Sequence, residues 1–277
     1  EEGISFASKQ KVAIKEAVEN GMVVITGGPG TGKTTTINAI IQLFEKEDLT
    51  IELAAPTGRA AKRMSQASNR EARTIHRLLE YSFMEAEMGF GRDEYSPLEA
   101  DVVIIDETSM VDILLMNHLM KAIMPGTRVV FVGDVDQLPS VGPGNVLKDI
   151  IDSGIVKVVM LDEIFRQAEE SMIVVNAHRI NKGEFPYLNV ADKDFFFIPK
   201  SKPNEIVTTI LELCDRRLPN FNGYDSLADI QVLTPMKKGE VGINALNKHL
   251  QETLNPKGLG KEEKQMGNDI FRVGDKV

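Results

Sequence analysis

Short apolar runs alternate along the first 165 residues with segments whose apolar positions recur at helical spacing. MVVIT at 22–26 is followed, across a glycine-rich turn, by Ile37, Ile40, Ile41 and Phe44, which are spaced i, i+3, i+4 and i+7. This pairing predicts a strand, a tight turn and a helix packed back on the strand. The runs TIELAAP (50–56), ADVVIID (100–106), RVVFVG (128–133) and VKVVML (156–161) repeat the theme. Strands that are apolar along most of their length need cover on both faces, so the expected fold class is α/β, with a parallel sheet between helices. Ligands of such sheets sit at the carboxyl ends of the strands. Four polar loops fall there: GGPGTGKT, PTGRAAK, DETS and GDVDQ.

Beyond residue 156 a second α/β pattern begins. It predicts a helix near 169–182, a strand at FFFIP (195–199), a helix over 204–217, a strand at DIQVLTP (229–235) and a helix over 241–253. The organisation expected is a first domain over 1–156 and a second, incomplete one over 157–277. SFMEAEMGFGRDEYSPLEA (82–100) lacks helical period and is read as a short hairpin insertion. NPKGLGKEEKQMGND (255–269) is read as an exposed loop.

Composition narrows the setting. The chain has 42% hydrophobic and 26% charged residues, ordinary for a globular protein, and no apolar run of the length a membrane span needs. Its one cysteine, Cys214, permits no internal disulfide, which fits a reducing compartment and a cytoplasmic location without a membrane partner. The chain starts without methionine and stops in a strand-like pattern, so it is read as a fragment. The net charge of −9 argues mildly against a nucleic-acid partner. Between Thr57 and Arg77, however, stand Arg59, Lys62, Arg63, Arg70, Arg73 and Arg77 against the single acid Glu71. Such clustering is either a solvated helix face or the footprint of a phosphate backbone.

The chemistry is carried by the polar loops. Gly27 to Thr34 satisfies G-x-x-x-x-G-K-[ST] between a predicted strand and a predicted helix, the context that marks a phosphate-binding loop. Gly28, Pro29, Gly30, Thr31, Gly32, Lys33, Thr34 and Thr35 then line a nucleotide site for ATP. Lys33 reaches the β and γ phosphates, and the Thr34 hydroxyl ligates Mg²⁺. Asp106 and Glu107 end a strand at the same sheet edge. Asp106 is suited to hold the hydrated metal and Glu107 to polarise an attacking water. An acid pair that begins a helix is alternatively a capping feature. Gln10, one short helix upstream, is a candidate adenine contact or a surface glutamine. Arg166 is a candidate γ-phosphate contact or an ion-pair partner of Asp162 or Glu163. Thr57, Gly58 and Arg59 open a helix after a strand and offer N–H groups and cations to a phosphodiester chain. His76 is a core or capping histidine, or a DNA contact.

In this order GGPGTGKTTT, LAAPTGRAAKRM, TIHRLL, VVIIDETSMVD, FVGDVDQLPSVGPGNVL, LDEIFRQ and VLTPMKKGEVGINALN resemble the RecD-like superfamily 1 DNA helicases over nearly the whole chain. The resemblance implies two RecA-like domains and ATP-driven 5′ to 3′ movement on single-stranded DNA toward duplex junctions. It places Gln10 at adenine, Gln137 and Arg166 at the γ-phosphate, and Thr57, Gly58, Arg59, His76 and Ser140 at DNA. It also makes the hairpin a strand-separating pin. Later family motifs, including a second arginine to ATP, are missing, so the chain is expected to bind ATP·Mg²⁺ and hydrolyse it poorly. A P-loop kinase acting on a small metabolite is the alternative reading, disfavoured by the acid pair and by the lack of a recognisable acceptor pocket or lid. A non-catalytic scaffold is the third.

Overall fold

The computed structural model describes residues 6–84, 87–163, 170–258, 260–267 and 269–276, and the chain divides into two compact units, Glu1–Phe196 and Phe197–Val277.

The first unit is built on a six-stranded sheet. Its strands are β1 (Met22–Gly27), β2 (Ile51–Ala55), β3 (Arg73–Thr74), β6 (Val102–Ile105), β7 (Arg128–Gly133) and β8 (Lys157–Leu161), ordered β3-β2-β6-β7-β1-β8. Every pairing in it is parallel. The register sets Val24 against Phe131 and Val103 against Val129, so alternate residues of neighbouring strands point to the same face. Val24, Val103, Ile105, Val129 and Phe131 form one core with α4 (Ile75–Leu78), α5 (Ile113–Ala122) and α6 (Val146–Asp152). Val23, Ile25, Val102, Ile104, Val130 and Val132 form the other with α1 (Ser8–Glu19) and α2 (Lys33–Lys46). Ile37, Ile40, Ile41 and Phe44 are all buried in that second core, as their spacing predicts. Each such side chain contributes about 1.5–3 kcal/mol. Helix α3 (Gly58–Ser68) follows β2, and α7 (Met172–Asn181) ends the regular structure of the unit.

Two expectations about this unit change. The boundary expected at residue 156 falls later, because β8 pairs in parallel with β1 from Val23↔Lys157 to Gly27↔Leu161 and completes the first sheet. The expected hairpin is confined to β4 (Ser82–Met84) and β5 (Glu87–Gly89); residues 90–100 form no strand. Asp93 accepts from the N–H groups of Tyr95 and Ser96, making the turn that this Gly- and Pro-bearing stretch favours instead.

The second unit carries α8 (Pro203–Glu212), a π-helical turn over Leu213–Arg217, α9 (Leu218–Asn222) and α10 (Ile243–Leu254). Cys214 is buried, as its apolar setting suggests. FFFIP and DIQVLTP form no strands. Ile198 and Leu233 are exposed, and an apolar run that leaves its side chains in solvent loses the burial that fixes strand register. Conversely, the expected loop at 255–269 holds β9 (Glu263–Met266), antiparallel to β10 (Asp269–Arg272). β9 is exposed and mostly polar, so hydrophobic period gave no sign of it, whereas β10 carries Ile270 and Phe271, both partly exposed.

Candidate active site

Because the sheet is parallel, the carboxyl ends of β1, β6, β7 and β8 lie along one edge, and the loops that leave them converge. After β1, Gly30 and Gly32 adopt φ of 76°, the left-handed conformation in which a side chain is strained. Gly27 is needed for a different reason: a β-carbon there would lie 2.5 Å from the Leu161 carbonyl oxygen of β8. Thr31 is buried and donates to the Gly28 carbonyl at 2.9 Å, and Thr36 donates to Gly32 at 3.0 Å. Lys33 lies folded into the loop, its Nζ 2.6 Å from the Gly27 carbonyl oxygen and 3.0 Å from that of Gly28. Thr34 is exposed beside it, and Pro29 and Thr35 are half-buried.

Gln10 is 2% exposed, which removes the surface-glutamine reading. Its Nε2 donates to the Gly32 carbonyl at 3.2 Å, and its Oε1 accepts from the Ala7 N–H at 3.0 Å. The first helix is thereby tied to the left-handed corner of the loop.

Asp106 and Glu107 stand at the end of β6. Glu107 has φ of 52°, so the chain turns sharply after the strand, and Asp106 accepts from the Glu107 N–H at 2.8 Å. Burial pushes the Asp106 carboxyl above its ordinary range, while Lys33 and Arg63 pull it back. Burial and then the Asp106 charge raise Glu107, and Asp134 adds to that rise. Both carboxyls sit within electrostatic reach of Lys33 and Arg63, whose charges do not offset the cost of burial. The capping reading of the acid pair does not hold: neither side chain caps the 3-10 turn Thr108–Met110, and Asp112 caps α5 by accepting from Leu115.

The β7 loop adds Asp134, 3% exposed, which accepts from the Asp136 N–H. Gln137 is exposed, with its Nε2 at the outer limit of hydrogen bonding from Asp134, 3.5 Å. Val135 N–H donates to Thr26 Oγ1 at 3.2 Å, joining the ends of β7 and β1. Farther along, the Ser140 hydroxyl accepts from Gly142, and Pro143 accepts from Ile113 at the start of α5. Leu138 and Val141 point fully into solvent.

Thr57 caps α3 by accepting from Ala60 at 3.2 Å, leaving Gly58, Arg59, Lys62 and Arg63 exposed. The basic run is not uniform. Arg70 is paired with Glu45 and Arg73 with Glu71, whereas Arg59, Lys62, Arg63 and Arg77 enter no ion pair among the described residues. His76 is exposed and belongs to neither core. Its ring meets Tyr81 edge-on at 5.4 Å and lies 6.0 Å from Phe90, which in turn stacks on His118 at 4.3 Å. Arg166 lies outside the described residues.

Two polar groups here escaped sequence reasoning. Asp134 was visible only as part of a polar loop; its burial beside Glu107 follows from the order of β6 and β7. Ser109 presents a buried hydroxyl that has no partner among the described residues. Those residues hold no cluster of three or more metal-ligating side chains.

Fold and site define a RecA-like P-loop domain, and residues 10–143 match the family described as an AAA domain. The curated relatives narrow the class. The chain is 35% identical over 277 residues to the ATP-dependent RecD2 DNA helicase of Deinococcus radiodurans, covering 98% of this chain and 35% of that protein. It is 41% identical over 169 residues to the RecBCD enzyme subunit RecD of Mycobacterium tuberculosis, covering 52% of this chain and 28% of that one. In structure it is similar to the Pif1 helicase of Candida albicans, with a TM-score of 0.51 and 21% identity over 76% of this chain and 55% of that one. Over nearly its whole length the chain is similar to the RecD-like helicases. It spans about a third of the length of the two curated relatives.

Proposed function

We propose that this chain is the ATP-binding motor portion of a cytoplasmic DNA helicase that moves 5′ to 3′ on single-stranded DNA toward duplex junctions. The observation that carries this reading is the placement of Lys33 within electrostatic reach of the half-buried Asp106–Glu107 pair at one sheet edge, with the exposed cations of α3 nearby.

The residues present fit ATP and Mg²⁺. Raised carboxyl groups without a full complement of cations suit a metal, and the left-handed glycines open a backbone cradle for phosphate. Thr34 and Asp106 would hold the metal, which supplies charge neutralisation at the phosphates. Lys33 exchanges its two loop carbonyls for the β and γ phosphates. Glu107 orients water, Gln10 meets the adenine, and Gln137 and Arg166 contact the terminal phosphate. Thr57, Gly58, Arg59, His76 and Ser140 face the DNA strand, with the β4–β5 hairpin as the separating pin. The second unit belongs to a second RecA-like domain. The acid pair favours water over a metabolite hydroxyl as phosphate acceptor, which sets the kinase reading aside.

The test measures binding of a fluorescent single-stranded oligonucleotide across a salt series. The reading expects affinity to fall with salt, and Arg59→Ala to shallow the logarithmic slope by about 0.7, one released counterion. Affinity indifferent to salt and to Arg59 contradicts it.

A further inference from the structure

Helix α7 brings a side chain to the phosphate loop that none of the recognised motifs includes. A β-carbon built on Gly28 would lie 2.7 Å from His178 Cε1 and 3.4 and 3.5 Å from its two ring nitrogens. The edge of the imidazole therefore lies close over Gly28, where a larger residue would push it aside. Nε2 is buried and, among the described residues, has no hydrogen-bond partner. Leaving a buried polar nitrogen unpaired is unfavourable, so the ligand-free protein holds a donor or acceptor that a ligand atom would satisfy.

The neighbouring polar side chains of α7 are committed elsewhere. Asn176 exchanges hydrogen bonds with the Tyr187 backbone, and Arg179 donates to the Phe185 carbonyl and pairs with Glu184. These contacts fix α7 to the chain that follows it and hold His178 at the loop. The position along the loop is informative as well. Lys33 Nζ lies 3.0 Å from the Gly28 carbonyl oxygen, and in loops of this pattern the lysine serves the terminal phosphates. His178 and Lys33 thus meet the loop at the same residue, at its terminal-phosphate end.

We propose that His178 is a nucleotide-binding residue whose Nε2 makes a hydrogen bond to the terminal phosphate of a bound nucleoside triphosphate, so that the site prefers triphosphate to diphosphate. The proposal rests on reading the Gly27–Thr34 loop as a nucleotide site. It adds a contact to the loop that β1 presents from α7, the helix that follows β8 in the chain.

The test is calorimetric titration of the 277-residue chain with Mg²⁺ and either a non-hydrolysable ATP analogue or ADP. His178→Ala should weaken the triphosphate by about 10-fold or more, the range for a hydrogen bond to a charged group, and leave ADP within about twofold. His178→Gln places an amide nitrogen near the Nε2 position and should restore most of the preference, which also guards against a variant that merely folds badly. Equal weakening of both nucleotides, or no change in either, overturns the proposal in favour of a packing role. Loss of both nucleotides in Lys33→Ala, with His178→Ala affecting neither, keeps the nucleotide site and removes only the histidine. An unsubstituted chain that binds neither nucleotide sinks the two together.

Discussion

Gly142→Ala tests the join between the β7 loop and the acid-bearing turn. A β-carbon at 142 would lie 2.1 Å from Asp112 Oδ2 and 2.8 Å from its Cβ and Cγ. The backbone of Gly142 is not left-handed, so the cost of the substitution comes from contact alone. Asp112 cannot simply swing aside, because it caps α5 through the Leu115 N–H at 2.8 Å. Nor can the loop retreat freely, because Ile113 N–H donates to the Pro143 carbonyl at 3.0 Å. Yielding the cap costs about 1 kcal/mol, and yielding the backbone bond costs about as much. Overpacking of this kind totals about 1–3 kcal/mol. Denaturant unfolding should therefore show Gly142→Ala less stable by that amount. In an Asp112→Ala background the same change should cost less, with a coupling of at least about 0.5 kcal/mol. A loss below about 0.5 kcal/mol, or strict additivity with Asp112→Ala, would refute the claim that this glycine is set by close approach.

Three further outcomes follow from the site. Asp106 has a raised carboxyl, so in the ligand-free chain its ionisation opposes folding: its contribution worsens as pH rises from the ordinary carboxylate range through the raised value. Asp106→Asn should thus melt higher than the unsubstituted chain at pH 8, with the gap narrowing as pH falls toward the ordinary carboxylate range; a lower melting point at pH 8 contradicts this. Gln10→Ala removes the bonds to Gly32 and Ala7 from a buried position and should cost about 1–3 kcal/mol in unfolding experiments while weakening nucleotide binding. Thr57→Ala removes the α3 cap and should cost about 1 kcal/mol, checked by thermal melting.

Much of the first unit was legible because its strands are buried on both faces, and continuous apolar runs such as RVVFV leave little choice of partner layer. The phosphate loop was legible because left-handed glycines and an isolated lysine leave a mark in sequence at fixed spacing. Other features had no such mark. The placement of β8 beside β1 is a matter of strand order, and it moved the boundary away from residue 156. His178 reads as one more polar position on an amphipathic helix, since its contact with Gly28 joins residues 150 apart in sequence. FFFIP has the composition of a strand but forms none and leaves Ile198 exposed, and β9 has the pairing of a strand but mostly polar composition. Period reports burial; it is silent where pairing and burial part company.

The central claim is that one Mg²⁺–nucleotide complex is held jointly by the β1 loop and the β6 acids. Titrating a non-hydrolysable ATP analogue into the chain, with Mg²⁺ and with the metal chelated, tests it directly. The account predicts binding that weakens on chelation, is lost in Lys33→Ala, and becomes largely indifferent to metal in Asp106→Asn. Binding of equal strength with and without Mg²⁺ that survives Lys33→Ala would contradict it.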